Sequence, residues 1–112
     1  MSGITTHVLD TSLGKPAAGI PVTLSIREGG SPRELGRGVT DVDGRVRSLA
    51  AELPLVTGSY LLTFETSGYF RATSRDTLFE RVTLEFFVAD AGQHFHVPLL
   101  LSPFGYTTYR GS

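Results

Sequence analysis

The chain has 112 residues, of which 40% are hydrophobic and 19% are charged, so it is long enough to bury one globular core. Ten basic and eleven acidic side chains give a formal charge of -1, which excludes the strong basic field of a nucleic-acid binder. There is no cysteine, so disulfides and thiolate zinc sites are excluded as well. We therefore expect a single domain over residues 1–112, stabilised by packing and by subunit association.

The N-terminal segment "MSGITTHVLD" lacks the basic start and the apolar run of a secretory signal. No apolar run in the chain is long enough to span a membrane. These features predict a cytoplasmic protein that has no membrane partner.

Short apolar and β-branched segments recur along the chain between clusters of Gly, Pro, Asp and Ser, which is typical of an all-β sandwich. The segments "DTSLGKPAAG", "EGGSP" and "DVDG" supply turn residues between them. A short helix is expected at 67–76, after the fifth strand. The eight predicted strands are Ile4–Leu9, Ile20–Arg27, Glu34–Thr40, Arg45–Arg47, Ser59–Glu65, Arg81–Val88, His94–Leu101 and Gly105–Arg110.

Successive side chains of a strand point to opposite sides of the sheet. The alternation of residue types therefore predicts that the histidines lie on the faces directed away from the core. His7 lies opposite the apolar residues of the first strand, and His94 and His96 lie opposite a row of Phe, Val and Leu. All three histidines of the chain therefore occupy positions that do not face the core. Pro98 cannot donate a ladder hydrogen bond, so we expect it at an edge or where pairing is interrupted. The last two strands are close enough in sequence to form a hairpin.

These polar residues have simpler interpretations. A histidine on a strand is more often solvated than catalytic, an arginine after a turn such as Arg45 is usually a solvated charge, and a C-terminal "YRGS" is usually frayed. A zinc site formed by His7, His94 and His96 is a further alternative, although no cysteine or placed carboxylate completes it.

Three segments resemble the signatures of one known family. The segment "HFHVPLLLSPFGYTTYRGS" closely resembles the C-terminal signature of the transthyretin-like 5-hydroxyisourate hydrolases, "THVLDTSLGKPAAGIPVTL" their N-terminal signature and "TDVDGRV" their central one. Together the segments span nearly the whole chain in the family's order. The ending "YRGS" is the most specific part, because it separates the hydrolases from transthyretin, a hormone carrier of the same fold.

The resemblance implies a fold, an assembly and a reaction. The fold is an all-β, prealbumin-like (transthyretin-like) sandwich of two four-stranded sheets with one short helix after the fifth strand. The assembly is a homotetramer with active sites at the dimer-dimer interface. The reaction is hydrolysis of 5-hydroxyisourate to 2-oxo-4-hydroxy-4-carboxy-5-ureidoimidazoline, by water attack on a ring carbonyl and C–N bond cleavage, and no cofactor is required.

The resemblance also implies roles for particular residues. The catalytic residues are His7, Arg45 and His96. One imidazole accepts a proton from water, the other protonates the leaving ring nitrogen, and the guanidinium stabilises the developing oxyanion. Which histidine is the base is left open. The implied substrate-binding residues are Tyr109, Arg110, Gly111 and Ser112.

Two neighbouring residues have alternative interpretations. His94 shares the side of His96 and is expected at the rim of the site or in solvent. Arg110 points opposite to Tyr109, so it can instead anchor the terminus.

Two other functions compete with the hydrolase. A transthyretin-type ligand-binding module would need an apolar floor in the channel that lies between the two dimers. His7, Arg45 and Tyr109 would make the floor of that channel polar. Structural β-sandwich repeats, such as those attached to carboxypeptidases and surface proteins, share the first two-thirds of the pattern but have no reason to end in "YRGS". The C-terminus therefore favours the hydrolase.

Overall fold

The structure is a computed structural model that describes residues 3–46, 49 and 54–112. Its described residues form two β-sheets and one helix. The strands are β1 (Gly3–Asp10), β2 (Lys15–Pro16), β3 (Pro21–Glu28), β4 (Ser31–Val39), β5 (Arg45–Val46), β6 (Gly58–Phe64), β7 (Val82–Val88), β8 (His94–His96), β9 (Leu99–Ser102) and β10 (Gly105–Thr108), and helix α1 covers Thr66–Ala72.

One sheet contains four antiparallel strands in the order β4-β3-β6-β7. In β3 the residues Val22, Leu24 and Ile26 are buried, and the residues between them are more exposed. This alternation is the pattern of a strand with one face on the core and one face toward solvent.

The other sheet is built around β1. Strands β8 and β9 pair with it in parallel, β2 and β5 pair with it in antiparallel fashion, and β10 extends the sheet beyond β9. Six strands thus fill four strand positions, because β8 continues into β9 and β2 shares an edge of β1 with β5. The predicted two-sheet, all-β sandwich is confirmed, while the short strand β2 was not predicted.

The predicted strand His94–Leu101 is in fact two strands, separated by Val97 and Pro98. Both pair with β1 in one continuous register, with Thr5 opposite His96 and Val8 opposite Leu99, so the alternation of faces passes through the break. The interruption predicted at Pro98 is confirmed, since proline has no N–H to donate.

The other predicted ends differ by a few residues. The final strand stops at Thr108 instead of Arg110, and a single antiparallel bridge then joins His96 to Gly111. In the predicted strand Arg45–Arg47, the last residue lies outside the described residues. The predicted helix at 67–76 is shorter than expected and ends at Ala72, because Ser74 adopts a left-handed conformation with φ 57°.

The core lies between the inner faces of the two sheets. Helix α1 contributes the fully buried Phe70 to it. No helix among the described residues is long and apolar enough to cross a bilayer. The largest fully buried side chains are Tyr60, Phe64, Phe70, Ile20, Leu24, Leu62, Leu99, Leu101, Val8, Val22, Val82 and Val88.

Candidate active site

His7 and Arg45 are cross-strand neighbours on the outer face of the sheet that contains β1. Their Cα atoms pair in the antiparallel ladder between β1 and β5. The turn before Arg45 ends at Gly44, whose φ is +77°, a conformation that favours glycine. A Cβ atom at Gly44 would lie 2.3 Å from the Val8 carbonyl oxygen and 3.3 Å from Cδ2 of His7. Glycine therefore allows the turn to approach β1 closely enough for Arg45 to pair with His7 in the ladder.

His96 lies on the other side of β1, opposite Thr5. The Thr5 hydroxyl oxygen is 2.8 Å from Nδ1 of His96 and 3.0 Å from Nε2 of His94, so one side chain contacts both imidazoles. Thr5 was not identified from the sequence. Thr5 lies on the same face of β1 as His7. The pairing register that brings Thr5 to His94 and His96 cannot be predicted from the sequence of either strand by itself.

Gly111 holds the other side of the His96 ring. Its N–H donates to the His96 carbonyl oxygen at 2.7 Å. A Cβ atom at Gly111 would lie 2.7 Å from Cδ2 of His96, so a side chain at this position would displace the imidazole. In this chain Gly111 positions His96, and Ser112 follows it as an exposed residue.

The electrostatics of the site favour a neutral His96. Partial burial lowers the pKa of His96, and the positive charges of Arg45, His7 and His94 lower it further. An imidazole that stays neutral near physiological pH has a free lone pair and can accept a proton.

Arg45 presents an open cationic group. Its side chain is exposed and makes no hydrogen bond or ion pair with any residue that the structure describes. Beside it lies a depression of about 260 Å³, lined by Thr5, Thr6, Arg45 and Val46. The five donors of the guanidinium are therefore available to a polar ligand in that depression.

Arg45 is the predicted site residue that lines this depression, whereas His7 and His96 are not among its lining residues. Arg110 donates to the Gln93 side-chain oxygen at 2.8 Å and to the His94 carbonyl oxygen at 3.1 Å, and its guanidinium lies 4.3 Å from the Phe95 ring centroid. These contacts correspond to the anchoring role. Tyr109 is 56% exposed and lines a different groove, of about 400 Å³, between β7 and the end of the chain.

The zinc alternative has no support in the geometry. Among residues 3–46, 49 and 54–112, no group of three or more His, Cys, Asp or Glu side chains is placed to hold a metal ion. Instead, Nε2 of His94 and Nδ1 of His96 are both directed at the Thr5 hydroxyl.

Comparison with known proteins gives consistent matches over almost the whole chain. The profile of the HIUase/Transthyretin family matches residues 4–111. A 5-hydroxyisourate hydrolase of Caulobacter vibrioides is 47% identical over 116 residues, covering 100% of both chains. The solved structure of Klebsiella pneumoniae 5-hydroxyisourate hydrolase is 40% identical, with a TM-score of 0.87 over 99% of this chain and 100% of that chain. Sea bream transthyretin in complex with thyroxine is 29% identical, with a TM-score of 0.90 over 96% of this chain and 93% of that one.

Proposed function

The chain belongs to the HIUase/Transthyretin family, and we propose on that basis that it hydrolyses 5-hydroxyisourate on the outer face of the β1 sheet. The observation that carries the proposal is the convergence of His7, Arg45 and His96 on that face, in a chain so similar to proteins named for this activity. Two imidazoles and a guanidinium supply a base, an acid and a fixed positive charge without any further group.

In the proposed reaction, Nε2 of neutral His96 removes a proton from water, and the water oxygen attacks a ring carbonyl of the substrate. The carbonyl π electrons move to its oxygen, and the Arg45 guanidinium stabilises the resulting oxyanion. When the oxyanion collapses, the ring C–N bond breaks, and the ring nitrogen takes a proton from protonated His7. The product is 2-oxo-4-hydroxy-4-carboxy-5-ureidoimidazoline. The lowered pKa of His96 supports its assignment as the base.

A transthyretin-type ligand carrier is the alternative, since this fold also matches sea bream transthyretin solved with thyroxine. A carrier of a large aromatic ligand gains affinity from an apolar site. Here the face carries three imidazoles and the Arg45 guanidinium, which has no partner among the described residues. Covering this charge with an apolar ligand would cost free energy, whereas hydrolysis can use it. The polar face therefore favours the hydrolase.

We also propose that the active protein is a homotetramer with its sites at the dimer-dimer interface. Two observations support assembly: β7 and β10 are edge strands of their sheets, and the groove beside them contains Phe87, 61% exposed, and Tyr109. A partner subunit over these edges would cover the apolar rings and would give Tyr109 and Ser112 access to a shared site. Light scattering that shows a fully active monomer would contradict the proposal. A cytoplasmic location stays a prediction, which cell fractionation can test.

The activity can be measured with an ultraviolet time course in which urate oxidase generates 5-hydroxyisourate. The protein is expected to remove this compound faster than spontaneous decay does. His96→Ala is expected to lower kcat/KM by about 10²–10⁴-fold, because general acid-base catalysis contributes about that much.

Arg37→Ala is the matched control, because it also removes a charged side chain but lies on β4 in the other sheet, where Arg37 pairs with Glu34. It should leave the rate unchanged. A wild-type protein no faster than buffer would refute the proposed function, and a fully active His96→Ala variant would refute the role of that histidine.

A further inference from the structure

The Thr5 hydroxyl lies between two imidazole nitrogens, and it has only one proton to donate. Its oxygen is within hydrogen-bond distance of Nδ1 of His96, at 2.8 Å, and of Nε2 of His94, at 3.0 Å. A hydroxyl that donates to one neutral imidazole must accept from the other if both contacts are hydrogen bonds. When the Thr5 hydroxyl accepts from one ring and donates to the other, it couples the protonation states of His94 and His96.

In one arrangement of these protons the Thr5 hydroxyl connects the two rings and His96 is ready to act as a base. Its Nε2 is free when Nδ1 carries the proton and donates it to the Thr5 oxygen. Thr5 then donates to Nε2 of a neutral His94. If His94 is protonated, its Nε2–H donates to the Thr5 oxygen, and Nε2 of His94 has no lone pair to accept a proton from Thr5. The path from His96 to His94 is then blocked.

We propose that Thr5 is a proton relay between His96 and His94, an inference that rests on the proposed hydrolase function. As Nε2 of His96 takes the proton of the attacking water, Nδ1 gives its proton to the Thr5 oxygen, and Thr5 gives its own hydroxyl proton to Nε2 of His94. One proton enters at His96 and one arrives at His94, so His96 ends neutral and His94 ends as an imidazolium. Thr5 and His94 are positioning residues that act through His96.

His94 and His96 differ in how far water reaches their side chains. His96 is partly buried, and the charged or titratable groups that face it are His7 from β1, Arg45 from β5 and His94 from its own strand, all of which oppose a charge on it. From the terminal segment, the Arg110 guanidinium binds the His94 carbonyl oxygen, and its positive charge opposes one on His94. The His94 side chain is exposed, so water solvates its charge directly.

Thr5→Val and Thr5→Ser separate the hydroxyl from the shape of the side chain. Valine keeps the β-branched shape but breaks the relay, so we expect kcat/KM to fall by about ten- to a hundredfold, mostly through kcat, with KM nearly unchanged. Serine keeps the hydroxyl and is expected to retain activity within about threefold. Thr63→Val, the same exchange on β6 of the other sheet, is the control and should behave as the wild type.

The pH dependence tests the part played by His94. The acid limb of log kcat/KM becomes one unit steeper for each group that must be deprotonated. Because the relay needs a neutral His94, the limb is expected to be about one unit shallower in Thr5→Val and in His94→Phe than in the wild type. A purely structural role for Thr5 would lower the rate without changing this slope.

Nitrogen NMR of the imidazoles tests the relay without any turnover. At neutral pH the wild-type His96 is expected to carry its proton on Nδ1, and Thr5→Val is expected to lose this preference while Thr5→Ser keeps it. A proton on Nε2 of the resting wild-type His96 would overturn the relay, and so would a Thr5→Val variant with wild-type kcat/KM and slope. A wild-type protein that does not hydrolyse 5-hydroxyisourate would instead overturn the proposed function.

Discussion

Strand β1 carries two polar clusters that differ in how their hydrogen-bonding groups are used. The first, here called the imidazole cluster, contains Thr5, His7, Arg45, His94 and His96. The second, here called the Asp10 cluster, contains Asp10, Ser12, Tyr69 and Arg75. Thr5 and His7 lie on the outer face of β1, whereas Asp10 has the parity of the core residues and is fully buried.

The Asp10 cluster is closed. One carboxylate oxygen accepts from the backbone N–H and hydroxyl of Ser12, and the other accepts from the Tyr69 hydroxyl at 2.6 Å and from Arg75 at 2.7 Å. Burial by itself raises the pKa of Asp10, but the hydrogen bonds from Arg75, Tyr69 and Ser12 together outweigh it and hold this pKa far below its usual range. The cluster joins the end of β1 to helix α1 and the segment that follows it.

The imidazole cluster is open. The Arg45 guanidinium has no side-chain partner in the part of the chain that the structure describes, and there the ring nitrogens of His94 and His96 are bonded to Thr5 alone. A group whose partners are all internal can contribute to stability but has nothing left to offer a ligand. A group held at the surface without partners contributes little to stability and is free to bind and react. We therefore expect substitutions in the two clusters to separate stability from activity.

The largest expected effect is on activity, from Arg45→Gln. Removal of a preorganised charge that stabilises an oxyanion costs about 10²–10³ in rate, so kcat/KM in the ultraviolet assay should fall by that factor. The free energy of unfolding should change by less than about 0.5 kcal/mol, because no described contact is lost. A marked loss of stability would show that the Arg45 side chain makes contacts that stabilise the fold.

The next effect is on stability, from Asp10→Asn. Removal of one partner of a buried ion pair costs about 3 kcal/mol, somewhat discounted here because the Arg75 side chain is 21% exposed. Urea unfolding at pH 7 measures this loss, while kcat/KM per folded molecule should stay at the wild-type value. An inactive but fully folded variant would contradict the division between the two clusters.

The free energies of unfolding of the wild type and Asp10→Asn should also depend differently on pH. The folded-state pKa of Asp10 is depressed, so its contribution to stability is fully present above the unfolded pKa of about 3.9 and is lost as the pH falls toward the folded value. The difference in free energy of unfolding between wild type and Asp10→Asn should therefore shrink below about pH 5. A difference that stays constant down to pH 2.5 would rule out an ionised Asp10 as its source.

The smallest effect is expected from Tyr69→Phe, which removes one donor to Asp10 and leaves the ring in place. A hydrogen bond to a charged group is worth about 1.5–3 kcal/mol, and Arg75 still compensates the carboxylate, so we expect a loss of about 1–2 kcal/mol. Thermal unfolding measures it, and the activity assay should show no change. An increase in stability would mean that the Tyr69 hydroxyl is better solvated than bonded.

Much of the fold and part of the site could be predicted because the signals are local. The alternation in the first strand placed His7 on the outer face, and "DVDG" placed Arg45 directly after a tight turn. The two-residue strand β2 was missed because it is too short to show any alternation. The strand pattern does not decide between substrate binding and anchoring for Arg110, because its partners Gln93 and His94 are brought to it only by the return of the chain.

The sequence by itself determined which face each strand residue occupies, because side-chain direction along a strand repeats every two residues and needs no partner. Tertiary structure decided which residues meet. Thr5 and His96 are 91 residues apart and Asp10 and Arg75 are 65 apart, and both contacts exist only through the pairing register and the packing of separate elements. The pairing of β1 with β8 therefore assembled the imidazole cluster, and the packing of α1 and the segment after it closed the Asp10 cluster.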